Sequence, residues 1–379
     1  MASNCIVILA PSEWGQVAVS NMQYALRFSR QDYNSVYYFE SIATRAPRIS
    51  DFLRIMRRVY KAAFGVGTPR AEWLDPENLN IISPFVVPWH NLVWAQKVNK
   101  NLLWRQLNSV LTKHENCQVT VVAYNPYWID VLDNLVIPHK LIFHCVDKLS
   151  TYSTSSSYFK NLEQLKIKAN SIIIPNKILM EDFKVYAGKT HVIPHGCSHT
   201  PQKIRSNIKN KVVYSGNLAD WVDFNLLIQL VTSCPNFEFN FVGTVTARTN
   251  FVHVQKILGL PNVKYHGQIE YGKLAMLYKE CSIGIVPYDA FNDHIKYSTP
   301  TKFSDYIFAG LRVISTDFPN AHDYGNLVEV AKNTEDFINL LKVPWEYDST
   351  YEAERQKMIQ TSSWDSRFDE FVNVINFAN

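Results

Sequence analysis

The six cysteines are scattered, and no two stand at C-x-x-C spacing, which weakens any zinc or redox reading and favours buried free thiols. No apolar stretch has membrane-spanning length. The opening MASNCIVILAPSEWG lacks a basic leader and holds only a six-residue apolar run, too short for a signal peptide or a span. The first strand's turn lacks G-x-G-x-x-G, so a dinucleotide cofactor is not indicated there, and no cofactor is expected. A formal charge of +4 is small for 379 residues, and no basic stripe spans the chain, which argues against nucleic acid as the main partner. These absences set the expectation of a soluble, cytoplasmic protein, with any membrane contact peripheral and on the inner face.

What the chain does have is apolar substance, 47% of its residues, enough for two ordinary cores. Cys5 to Ala10 reads as a strand, followed by a turn holding Glu13 and Trp14, a helix from Asn21 to Phe28 and a second strand from Val36 to Phe39. This is a βαβ unit. Strands over Gln118–Tyr124, Leu141–Val146, Ser171–Ile174 and His191–Ile193 continue the alternation, with Asp147 just beyond the second of these. The polar, basic segment from Ser198 to Lys211 then reads as a linker, after which the alternation restarts at Lys211. Its strands end at Gly216, at Gly243 and at His266-Gly267. Glycines at successive strand ends let backbone approach a ligand closely, and point to a nucleotide cleft. The fold class is α/β with parallel, doubly wound sheets.

Between Arg45 and Arg70 seven basic residues face one acid, Asp51, with apolar residues interleaved. The pattern suits a basic amphipathic helix, either a solvated helix with a core-facing stripe or a surface for anionic lipid.

The stretch from Cys281 to Thr316 organises the rest. A buried strand ends at Pro287-Tyr288, a polar loop carries Tyr297, and Thr299-Pro300 opens a helix bearing Lys302 and Asp305. A strand-end loop feeding a helix N-terminus with a lysine is where an α/β fold takes a phosphorylated ligand. Asp305, three residues on, shares the helix face and can accept from a ribose hydroxyl.

Three segments, VVYSGNLADWVDF, NVKYHGQIEYGKLAMLYKECSIGIVPY and TPTKFSDYIFAGLRVIST, resemble the donor-binding half of GT-B glycosyltransferases, in particular family-four-like transferases and the glucuronosyltransferase of xanthan assembly. HCVDKLS and VIPHG extend the likeness into the first half. The resemblance implies two Rossmann-like domains facing across a cleft: an acceptor domain over 1–198 joined by the C-terminal helix at 362–379, and a donor domain over 199–361. It implies that Lys302 binds the donor pyrophosphate, that Asp305 takes the ribose place, and that Gly216, Gly267 and Tyr288 line the donor site; His266, before a strand-end glycine, is a further donor-site candidate, either a turn residue or a ligand contact. Tyr297 stands where many family-four enzymes carry a glutamate eight residues before the second acid, which counts against their retaining mechanism. The xanthan-type relatives invert with a base from the N-terminal domain, where Asp147 is the best positional match.

Inversion needs one carboxylate to take the acceptor's proton and positive charge where the nucleotide leaves. Asp147 is the candidate base and Glu13 the second. Trp14 is the candidate sugar platform for the acceptor. No Asp-x-Asp pair exists to hold a divalent ion, so transfer without a metal is expected, with Lys302 and the helix dipole supplying charge. The expected partners are a nucleotide-sugar donor, UDP-linked, and a saccharide or polyprenyl-linked acceptor of surface-polysaccharide assembly. A sugar-nucleotide epimerase of the same fold and a non-catalytic nucleotide- or sugar-binding module stay open as alternatives.

Overall fold

The computed structural model describes residues 4–15, 19–31, 34–42, 78–87, 92–149, 155–204 and 210–377. The basic 45–70 segment lies outside the described residues. The chain divides into two compact units, Met1–Ile193 with Phe368–Asn379, and Pro194–Arg367.

The first unit is built on a seven-stranded parallel sheet ordered β3-β2-β1-β4-β5-β6-β7. Its strands are β1 (Asn4–Leu9), β2 (Asn34–Phe39), β3 (Leu79–Ile82), β4 (Gln118–Ala123), β5 (His139–His144), β6 (Ser171–Ile174) and β7 (Thr190–Val192). β1 pairs on both sides, with β2 and with β4, and its residues from Cys5 to Leu9 are buried, as a continuous apolar run in a doubly covered sheet should be. The reading by pattern did not find β3, where Leu79, Ile81 and Ile82 are interrupted by Asn80.

The second unit carries a six-stranded parallel sheet ordered β10-β9-β8-β11-β12-β13. These are β8 (Lys211–Ser215), β9 (Glu238–Val242), β10 (Val263–Tyr265), β11 (Ile283–Val286), β12 (Arg312–Thr316) and β13 (Glu329–Ala331). Renumbered within the unit, the order is 3-2-1-4-5-6, so the direction of winding reverses between β8 and β11, the position at which such sheets bind ligands. The buried guanidinium of Arg312 holds β13 by two parallel hydrogen bonds to Glu329, 2.8 and 2.6 Å long.

The linker candidate, Ser198 to Lys211, is bonded near its start. The Cys197 N–H just before it donates to Ser362 O at 2.8 Å, and the Gln202 N–H within it to Phe308 O at 2.8 Å. Buried Arg355 also donates to the carbonyls of Gln202, Ile307 and Phe308. These bonds place 194–204 with the second unit. The last helix, Trp364–Phe377, is capped by Ser363, whose Oγ accepts from the Ser366 N–H at 3.1 Å. From Phe368 onward it belongs to the first unit, where Phe368 meets Phe28 and Phe371 meets Tyr24. No helix among the described residues is long and apolar enough to cross a membrane.

Candidate functional site

The second unit's switch point is assembled by one tyrosine. Tyr306 lies on the helix Lys302–Phe308, its ring on the bare backbone of Gly284 in β11, where a Cβ would come within 2.4 Å of the ring. Its hydroxyl accepts from the Ser215 N–H at 2.9 Å, at the end of β8. The helix is therefore clamped across β8 and β11, and its first residue, Lys302, is delivered to the mouth between them. The helix begins two residues after Pro300 and has seven residues. So short a helix has a weak end dipole, so the positive charge at this end is mainly the lysine's, which corrects the weight given to the dipole.

Lys302 is only 9% exposed. Its Nζ donates to the Tyr288 hydroxyl and stands 4.5 Å from the centroid of the Tyr288 ring and 5.0 Å from that of Tyr214. Among the described residues it makes no ion pair. Gly216 lies against it: at φ +144°, a Cβ there would sit 2.9 Å from Nζ. The strand-end glycines of β8, β9 and β10 adjoin one another. The Gly216 N–H donates to Val242 O and the Gly243 N–H to Gly267 O, both at 2.8 Å. A Cβ on Gly243, at φ +129°, would strike Gly216 O at 2.2 Å, so the close approach requires glycine.

Asp305, one turn along the helix, has a side chain 22% exposed. Its Oδ1 accepts from the Cys197 thiol at 3.5 Å and lies 3.7 Å from Nε2 of His199. Burial pushes its carboxyl up to about 7, against the lowering influence of the Cys197 hydrogen bond and the Lys302 charge. Burial likewise pushes the His199 imidazole down to about 4. Sequence reasoning missed His199. Its neighbour Asp305 is almost as far away along the chain as it is from Cys197, a separation of 108 residues, and no local pattern links them.

The remaining expected residues are more dispersed. Tyr288 is buried, its N–H bonded to Thr316 Oγ1 at 3.0 Å. Exposed His266 and half-buried Gly267 follow the edge strand β10, with His266 Nε2 2.8 Å from Asn240 Oδ1. Tyr297 is half-buried after the short helix Asp293–Lys296, under the Lys296 ammonium at 5.5 Å. In the first unit Asp147 is exposed just beyond β5, and its carbonyl accepts from the Cys145 thiol at 3.0 Å. Glu13 is exposed in the turn after β1, in the same unit. Trp14 is buried, its ring edge-on to Tyr38 at 4.9 Å and its N–H donated to Glu40 Oε1 at 2.8 Å. That is a packing position rather than the open sugar platform expected of it. No group of three or more His, Cys, Asp or Glu side chains among the described residues is arranged to hold a metal ion.

The chain matches no protein-family model. It is 23% identical over 227 residues to TuaH of Bacillus subtilis, named as a teichuronic acid biosynthesis glycosyltransferase, a match covering 54% of this chain and 56% of that protein. The match thus spans little more than half of TuaH. Among solved structures, HepE of Anabaena, in complex with UDP and glucose, aligns over 100% of both chains with a TM-score of 0.65 and 13% identity. Sucrose-phosphate synthase of Thermosynechococcus elongatus aligns over 99% of this chain and 98% of its own, at 0.67 and 12%. A glycosyltransferase of Rickettsia africae aligns over 99% and 98%, at 0.65 and 14%. Over its whole length the chain has the GT-B fold, and the proteins it resembles in structure include glycosyltransferases of that fold.

Proposed function

We propose that this chain is a glycosyltransferase that moves a sugar from a UDP-linked donor to a saccharide or polyprenyl-linked saccharide in surface-polysaccharide assembly, with inversion and without a metal. The observation that carries the reading is Lys302: a buried ammonium at the switch point, held by a phenol and two rings, with no ion pair among the described residues and Asp305 as its neighbouring carboxyl. Burying an ammonium outside an ion pair is unfavourable, which supports an anion brought from outside. In this reading the glycine-edged mouth beside it takes the diphosphate. The UDP in HepE and the polymer for which TuaH is named support the choice of donor and pathway class.

In this reading the acceptor hydroxyl gives its proton to the Asp147 carboxylate as its oxygen bonds to the anomeric carbon. The bond from that carbon to the phosphate oxygen breaks, and its electron pair leaves on the diphosphate, which Lys302 neutralises. Asp305 accepts from the ribose. The tyrosine at position 297 supports inversion, and the lysine in the pyrophosphate place supports a reaction needing no divalent ion. Contact of the 45–70 segment with an anionic membrane rests on its composition alone.

The test is a panel of nucleotides and nucleotide sugars screened by thermal stabilisation, followed by incubation of the best donor with and without acceptor. Stabilisation by UDP-sugars and acceptor-dependent transfer are expected. Isomerised donor without acceptor would indicate the epimerase instead, and loss of activity in EDTA restored by magnesium would contradict the metal-free step.

A further inference from the structure

Behind the expected ribose carboxylate stands a histidine with an unsatisfied nitrogen. The His199 side chain is 4% exposed, and its Nε2 is buried without a hydrogen-bond partner among the described residues. The ring is fixed from two sides, stacked on Tyr271 at 4.3 Å and tilted against Tyr278 at 5.1 Å. Nε2 is 3.7 Å from Asp305 Oδ1, about half an ångström beyond a good hydrogen bond. A buried nitrogen left unbonded is unfavourable, and a small shift of the carboxylate satisfies it.

The same pair faces a charge problem once a ligand arrives. Burial already resists ionisation of Asp305, and a diphosphate beside Lys302 would take up the positive charge nearest to it. Of the titratable groups around the carboxylate, Cys197, Tyr271, Tyr278, Tyr306 and Tyr324 are all pushed up by burial and remain neutral. Among the described residues, His199 is the group placed to offset that charge with an N–H hydrogen bond.

We propose that His199 is the positioning residue of Asp305: when a nucleoside diphosphate is bound, its Nε2–H closes onto Oδ1, keeping the carboxylate ionised and turning Oδ2 to accept from a ribose hydroxyl. The proposal rests on the donor-site reading of Lys302 and Asp305. It makes ribose recognition, rather than phosphate recognition, depend on His199.

The experiment is calorimetric titration of UDP and of 2′-deoxy-UDP into the wild type, His199→Phe and His199→Gln, between about pH 6 and pH 8. Gln retains an N–H donor at similar reach; Phe keeps only the ring. Wild type should prefer UDP over its deoxy analogue. Phe should lose about tenfold in UDP affinity, the scale of one hydrogen bond to a charged group, with little loss for 2′-deoxy-UDP, and Gln should restore most of it. The pH at which UDP affinity falls off should move upward in the Phe variant, a change that a merely structural role would not produce. Equal ribose preference and an unmoved pH profile in the Phe variant would overturn the proposal while leaving the donor site intact. Failure of the wild type to bind UDP at all would overturn the donor-site reading and the proposal with it. Should the Phe variant fail to fold, nitrogen-15 spectra of the wild type decide, with the His199 signal assigned by its loss in His199→Gln. A protonated Nε2 in the UDP complex supports the proposal, and a bare Nε2 there overturns it.

Discussion

The two units share a strand order over their first six strands but differ in what stands at the point where the winding reverses. In the first unit the loop after β1 is closed on itself: Trp14 is buried, and the 2%-exposed carboxylate of Glu40 accepts from the Trp14 N–H and the Ser83 hydroxyl. Asn21 adds bonds to Ser12 Oγ at 2.9 Å and the Tyr38 hydroxyl at 2.7 Å. In the second unit the corresponding strand ends in Gly216, and a buried ammonium stands beside it in place of a bonded carboxylate. One mouth has its polar groups satisfied from within, and the other holds a charge that is not. Topology locates two candidate mouths, and the buried ammonium is the reason for proposing the second as the donor site.

The sharpest break in that comparison is between chemistry and binding. If the first unit contributes the base and the second the donor site, Asp147→Asn should lower kcat by about 100-fold or more and leave UDP affinity unchanged, as transfer assays and calorimetry would show. A variant with full activity removes Asp147 from the mechanism. Lys302→Ala should lower kcat/KM by about 100-fold or more, since it deletes the cation opposite the departing diphosphate. Gly216→Ala comes next. At φ +144° it strains the backbone and puts a methyl 2.9 Å from Lys302 Nζ, so donor KM should rise about tenfold with a stability loss of roughly 1–3 kcal/mol.

Much of the parallel architecture was legible because strands buried on both faces are written as unbroken apolar runs, such as Cys5–Ala10 and Ile283–Val286. β3 was not, because Asn80 interrupts its short apolar run. Lys302 and Gly216 were legible as types in context, a lysine opening a helix and a glycine closing a strand. Their contact with Tyr288 and Tyr214, and the whole His199–Asp305 arrangement, depend on tertiary packing over separations of up to about a hundred residues, which no local pattern carries. Trp14 shows the converse: an aromatic in a strand-end loop looks like a platform until Tyr38 and Glu40 are seen to engage it.

Two smaller effects separate the mouths by stability. The Asp305 carboxyl sits at about 7 when folded, above its ordinary value of 3.8, so its favourable contribution is full below that value and is lost as pH rises toward 7. His199, held down to about 4, changes in the opposite sense below its ordinary value of 6.5, so comparison with Asp305→Asn isolates the carboxylate. Asp305→Asn should therefore melt higher than wild type at about pH 8, by roughly 2–4 kcal/mol, and level with it near pH 4. Parallel melting curves across that range would remove the buried charge from the account. Glu40→Gln should cost about 1–3 kcal/mol of stability and leave nucleotide affinity untouched, because its bonds serve the first unit alone.

The most direct measurement is the affinity of wild type and Lys302→Gln for UDP, UMP and uridine by calorimetry. The account predicts that wild type binds UDP at least about tenfold more tightly than UMP, and that the Gln variant loses this preference while binding uridine as before. A Lys302→Gln protein that still prefers UDP to UMP by the same factor would show that the diphosphate is held elsewhere.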